Sequence, residues 1–128
     1  MKRRLVFWFA LLAVFLTSGC GLVALSASSA QVKNSEVGFA SRQGLRDHYL
    51  KHGGEFKASS EGEYLALAQT LRDSKPGGSV LENVRADGVM TRFDKRTGAF
   101  LACNPNGTIR TFFKPNDGER YYWRQLKR

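Results

Sequence analysis

Hydrophobic and polar positions change their spacing twice along this chain. Leu5 to Leu16 is an unbroken apolar run behind Met-Lys-Arg-Arg. From Arg42 the spacing becomes helical: Leu45, His48, Tyr49 and His52 stand at i, i+3, i+4 and i+7 and share one face. Ser41 is placed to cap this helix, predicted over 42–52, and Gly53-Gly54 stops it. A second helix opens with the capping-box pattern Ser60-x-x-Glu63. It carries the stripe Tyr64, Leu67, Ala68, Leu71 and ends before Pro76-Gly77-Gly78.

Beyond Pro76 the pattern alternates. Four or five strand-like runs follow, over 80–85, 89–93, 99–104, 108–114 and 121–126. They are separated by the turn signals Asp87-Gly88, Asp94 to Gly98, Asn104 to Gly107 and Pro115 to Gly118. Connections this short predict an antiparallel meander. The expected fold is α+β: an N-terminal signal helix, then two helices packed on one face of a four- or five-stranded antiparallel β-meander. Residues 31–41 read as a linker or poorly ordered arm, and 42–128 as a single domain.

The first thirty residues carry the parts of a signal peptide: a basic start, an apolar core and small residues after it. Twelve apolar residues make a helix about 18 Å long, short of a ~30 Å hydrocarbon core. Two cleavage sites stay open. Ser28-Ser29-Ala30 is a small-x-small pattern that releases a protein starting at Gln31. Leu16-Thr17-Ser18-Gly19-Cys20 resembles the lipobox of bacterial lipoproteins, with Thr17 where that family favours leucine. On that reading Cys20 is lipidated and tethers the protein to a membrane. The apolar character that resumes at Gly21 to Leu25 keeps an uncleaved anchor as a third option. The chain is expected to be exported: secreted, periplasmic or membrane-anchored as a lipoprotein.

Cysteine usage adds one constraint. With Cys20 lipidated or removed, Cys103 stands alone and no intramolecular disulfide forms. Within Phe100-Leu-Ala-Cys103 it reads as a small buried hydrophobe and is given no catalytic role.

Charge then bears on partners. The chain carries a formal net charge of +9. From Arg92 onward there are nine basic residues against three acidic ones, while 31–91 is neutral. A basic half interleaved with Phe, Tyr and Trp suits a polyanion, since cations neutralise phosphates and aromatic faces accept bases. A solubilising surface, or attraction to anionic lipid beside a tethered N-terminus, accounts for the same charge.

The two histidines, His48 and His52, lie one helical turn apart in His-Tyr-Leu-Lys-His-Gly. Histidine titrates near neutrality, which suits proton transfer. A metal would need further ligands, and neither a His-Glu-x-x-His motif nor an acidic or cysteine cluster supplies them. No metal and no cofactor is expected.

The segments His48 to Phe56, Glu63-Tyr64-Leu65, Asp87-Gly88, Arg92-Phe93-Asp94 and Gly107-Thr-Ile-Arg-Thr-Phe-Phe-Lys-Pro115, in this order, resemble a toxin domain. Such domains sit at the C-termini of bacterial polymorphic and contact-dependent toxins. They are grouped with the barnase, EndoU, colicin-ribonuclease and RelE-like fold. The resemblance implies a metal-independent endoribonuclease in which a 2′-hydroxyl attacks its neighbouring phosphate. It also implies roles: His48 and His52 as base and acid in either order, Lys114 and Arg110 stabilising phosphate charge with Arg92 as second choice, and Thr111 donating to a phosphate oxygen. Tyr122 or Trp123 would stack on a base, and Lys51 projects near the histidines. RNA, with tRNA among the candidates, is the partner so implied. An immunity protein would make such an enzyme safer for its producer. Toxin domains usually end a very long delivery protein, whereas this chain carries its own leader.

Strand periodicity leaves one point open. Thr111 and Phe113 share one face, and Arg110, Phe112 and Lys114 the other. If Phe113 is core, the second set is a basic-aromatic RNA face; if Phe112 is core, the basic pair points inward. The rival to an enzyme is a non-catalytic exported protein that binds a polyanion or envelope component through its basic C-terminal half.

Overall fold

Both predicted caps form. In this computed structural model, which describes residues 36–127, Ser41 and Ser60 are extended. Their hydroxyls accept from Gly44 N (3.0 Å) and Glu63 N (3.1 Å). They start α1 (Arg42–His52) and α2 (Glu61–Asp73). The Glu63 carboxylate closes the second cap one residue early, accepting from Ser59 N at 2.8 Å. The leader, both cleavage sites and Cys20 lie outside the described residues.

Glycine ends α1 by packing. Gly53 has ordinary helical φ, but a Cβ there would fall 2.5 Å from Cδ2 of the Tyr49 ring. A 3-10 turn over Gly53–Phe56 follows, closed by Lys57 at φ 54°.

Four strands, β1 (Val80–Val84), β2 (Met90–Asp94), β3 (Ala99–Cys103) and β4 (Ile109–Phe113), form an antiparallel sheet in sequence order. The meander is as expected, and a glycine with positive φ closes each predicted turn. Tyr64, Ala68 and Leu71 of α2 pack on Ala99, Leu101, Cys103, Ile109 and Phe112, forming one core. Val89, Phe93, Phe100, Ala102 and Tyr122 form a second core on the other face.

That second core corrects the fifth strand. Residues 121–126 are rich in Tyr and Trp, which favour strands, yet Glu119–Gln125 is a helix, α3. It buries Tyr122 and Gln125, three residues apart, on the sheet face opposite α2. The outer edge of β4 is also engaged at both ends. Ile109 N donates to Gly38 O (2.9 Å), and Lys114 N donates to a Glu55 carboxylate oxygen (2.7 Å). The result is three layers, with α1 and α2 on one side of the sheet and α3 on the other.

The arm preceding α1 is docked where it is described. The Val37 carbonyl accepts from Gln69 Nε2 (3.1 Å) and from the Arg72 guanidinium, and Phe39 forms a parallel bridge with Ile109. Residues 37–39 are therefore part of the domain and not a linker.

Candidate active site

α1 carries both histidines on its face toward β4, because Leu45 and Tyr49 of the same stripe pack against the core. The His48 and His52 rings lie 6.1 Å apart, centroid to centroid. With Asp47, Lys51, Thr111 and Phe113 they line an open cavity of about 410 Å³. Four residues singled out by sequence, His48, Lys51, His52 and Thr111, thus meet in one place.

The histidines sit in unlike surroundings. His48 is half-buried, its ring 4.9 Å from Phe39, and its buried Nδ1 has no hydrogen-bond partner among the described residues. Burial, then the neighbouring charges of His52 and Lys51, hold its imidazole below the ordinary histidine range, against a smaller opposing pull from Asp47. A proton on Nδ1 would lack an acceptor, which also favours the neutral ring. His52 instead pairs through Nδ1 with Glu55 Oε1 at 2.8 Å, leaving Nε2 as its free nitrogen. Its ring packs 5.3 Å from Phe113.

Glu55 is the residue sequence reasoning missed. Its Oε1 takes His52 Nδ1 and its Oε2 takes the backbone N–H of Lys114, so one carboxylate fixes the imidazole and ties the 3-10 turn to β4. The His52-x-x-Glu55 spacing was the available signal, since residues three apart share a helical face.

A β-bulge settles the faces of β4. Ala102 pairs with Thr111 but Cys103 pairs with Ile109, leaving Arg110 as the extra residue. Ile109 and Phe112 therefore both enter the α2-side core, and Arg110 swings out to the exposed edge. Phe112 is core, as in the less favourable of the two registers, and Lys114 follows it. The Lys114 ammonium lies 5.2 Å over the Phe56 ring and does not line the histidine cavity. Arg110 escapes inward burial through the bulge. It lines a second depression with His48 in its wall.

Three assignments are corrected. Arg92 is buried: its Nε donates to Glu82 (2.8 Å), and its Nη1 donates to Leu71 O (2.9 Å) and to Ser74 O. It fastens the C-terminal end of α2 to the sheet and offers nothing to RNA. Tyr122 is buried in the second core and cannot stack on a base. Trp123 is 49% exposed on α3, with its indole N–H donating to Glu119 Oε1, and it does not line the histidine cavity. Cys103 is buried, and burial pushes its thiol up, away from thiolate chemistry.

Among the described residues no group of three or more His, Cys, Asp and Glu is placed to hold a metal ion. None of the described helices is long and apolar enough to cross a membrane. No family model matches the chain, and a search of curated proteins finds no match.

Proposed function

We propose that this protein is an exported, metal-independent endoribonuclease that cleaves by attack of a 2′-hydroxyl on the adjacent phosphate. The observation that carries the reading is the pairing of two unlike histidines, one half-buried with its Nδ1 unpartnered among the described residues and one held by a carboxylate, at an open cavity. Neutral His48 is suited to be the base. It takes the 2′-hydroxyl proton as the P–O2′ bond forms. His52, in its protonated form balanced by Glu55, gives a proton to the 5′-oxygen as the P–O5′ bond breaks. The products are a 2′,3′-cyclic phosphate and a free 5′-hydroxyl.

Charge on the phosphorane falls to Lys51, Arg110 and Thr111. Arg72, Arg85, Arg92, Arg96 and Arg124 are each paired with a carboxylate. Lys51 and Arg110 have no such partner among the described residues, and the Thr111 hydroxyl is likewise unengaged. Unpaired cations beside a proton-transfer pair suit a phosphodiester substrate. This distribution weighs against the rival polyanion binder, because three of the basic residues of the C-terminal half point in different directions. Arg92 faces α2, Arg110 the β4 edge, and Arg124 lies over the Tyr121 ring at 5.6 Å. Export rests on the leader pattern, and an immunity partner on the risk an active ribonuclease poses to its producer.

The test is digestion of total RNA and tRNA by the purified protein in EDTA, beside His48→Ala, His52→Ala and the double variant. Cleavage by the wild type, lowered about 10²-fold or more in each single variant, is expected. Unchanged cleavage in the double variant would remove the histidines from the mechanism. RNA bound but uncut by folded wild type would favour the polyanion-binding reading.

A further inference from the structure

His48 is a wall of two depressions. One holds His52, Lys51 and Thr111; the other, about 560 Å³, is lined with His48 by Phe39, Asn104, Thr108 and Arg110. The ribonuclease reading accounts for the first and takes only Arg110 from the second, leaving Asn104 and Thr108 without a task. Its volume lies within the ~300–1,000 Å³ of small-ligand pockets.

The second depression is built from fixed backbone. Phe39 is pinned by its bridge to Ile109 and packs on His48 and Tyr64. Asn104 N donates to Thr108 O (2.9 Å), and Gly107 N donates to Asn104 O (2.8 Å), closing the β3–β4 turn. The Asn104 side-chain amide and the Thr108 hydroxyl are engaged by nothing among the described residues. A rigid wall carrying one free amide, one free hydroxyl, one aromatic ring and one unpaired guanidinium has the groups that read a nucleobase beside a phosphate.

We infer that this depression is a base-reading subsite, in which the Asn104 side chain hydrogen-bonds the base of one of the two nucleotides flanking the scissile phosphate. The inference rests on the ribonuclease reading, since His48 sets the distance from the subsite to the reacting phosphate. An amide offers a donor and an acceptor together, so it distinguishes bases by the order of those groups along their edge. Arg110, which serves the reacting phosphate, lines the same depression. Selectivity thus arises from a turn residue outside the proton-transfer pair.

Cleavage rates would be measured on short oligonucleotides holding a single ribonucleotide, with all four bases placed in turn on each side of it. The wild type is expected to favour particular bases at one of the two positions by about tenfold or more. Asn104→Ala keeps the turn's backbone bonds and should level that preference across the four bases. A second reading is binding: the Asn104 side-chain amide resonances should shift on addition of an all-deoxy, uncleavable form of the preferred oligonucleotide. Asn104→Ala with the wild-type preference intact, or an amide that does not respond, would overturn the subsite and leave the ribonuclease reading standing. A folded wild type that cuts none of the oligonucleotides would overturn both.

Discussion

Replacing Glu55 by glutamine keeps the shape of the side chain and removes one of its two acceptors. Oε1 now accepts from His52 Nδ1 at 2.8 Å and Oε2 from Lys114 N at 2.7 Å. A carboxamide can serve only one of them. The backbone N–H of Lys114 has no other role than donor, so the amide oxygen is expected to stay with it and turn its NH₂ toward His52. Nδ1 must then accept, which moves the His52 proton to Nε2 and sets the NH₂ against an imidazolium.

Charge-assisted bonds contribute about 1.5–3 kcal/mol each when buried. The Glu55 side chain is 34% exposed, and solvent screening brings each bond nearer ~1 kcal/mol. Glu55→Gln should therefore cost about 1 kcal/mol of stability and Glu55→Ala about 2 kcal/mol, neither enough to unfold an ordinary domain. The effect on rate is larger: loss of a correctly protonated general acid costs about 10²-fold. Urea titration, nitrogen-15 spectra of the imidazoles and RNA cleavage read the three consequences separately. A glutamine variant that cleaves at the wild-type rate with His52 still protonated on Nδ1 would refute the positioning role.

Three further outcomes follow from the same geometry. Because the folded state holds the His48 pKa below its unfolded value of about 6.5, the unfolded chain binds more protons just below that pH. The His48 contribution is whole above about pH 6.5 and declines as pH falls toward the folded value, so His48→Gln should flatten the stability–pH slope there; an unchanged slope would contradict it. Arg92→Met leaves Glu82 unpaired and removes the guanidinium from two carbonyls at the end of α2, and should cost about 3 kcal/mol in urea unfolding, with a loss below 1 kcal/mol counting against the clamp. Gly53→Ala sets a Cβ 2.5 Å from the Tyr49 ring and should cost about 1–3 kcal/mol, whereas a neutral effect in thermal unfolding would mean the ring moves freely.

Local chemistry written in the sequence was legible. Ser41 and Ser60 cap because a hydroxyl three residues ahead of an amide can reach it, and the turn glycines hold positive φ. What depended on tertiary packing was not. Tyr121 to Leu126 has the composition of a strand, and it is helical because its partner surface is a sheet face and not a sheet edge. The faces of β4 turned on a single extra residue, Arg110, and strict alternation cannot reveal a bulge. The same gap hid Arg92, whose charge suggested RNA and whose burial ties α2 to the sheet. Of the candidate site, the residues on α1 were readable because they share one turn. Glu55 stood at a readable spacing from His52, whereas Phe39 reaches His48 through a docked arm that only the folded chain brings near.

In-line attack of a 2′-hydroxyl, driven by two histidines, leaves its signature on the ends of the cleaved strands. RNA digested by the wild type in EDTA should carry 2′,3′-cyclic phosphate and 5′-hydroxyl termini, and a 2′-deoxy substitution at the cleaved nucleotide should abolish the cut. Termini with a 5′-phosphate and 3′-hydroxyl, or cleavage that survives the 2′-deoxy substitution, would rule out attack by the 2′-hydroxyl.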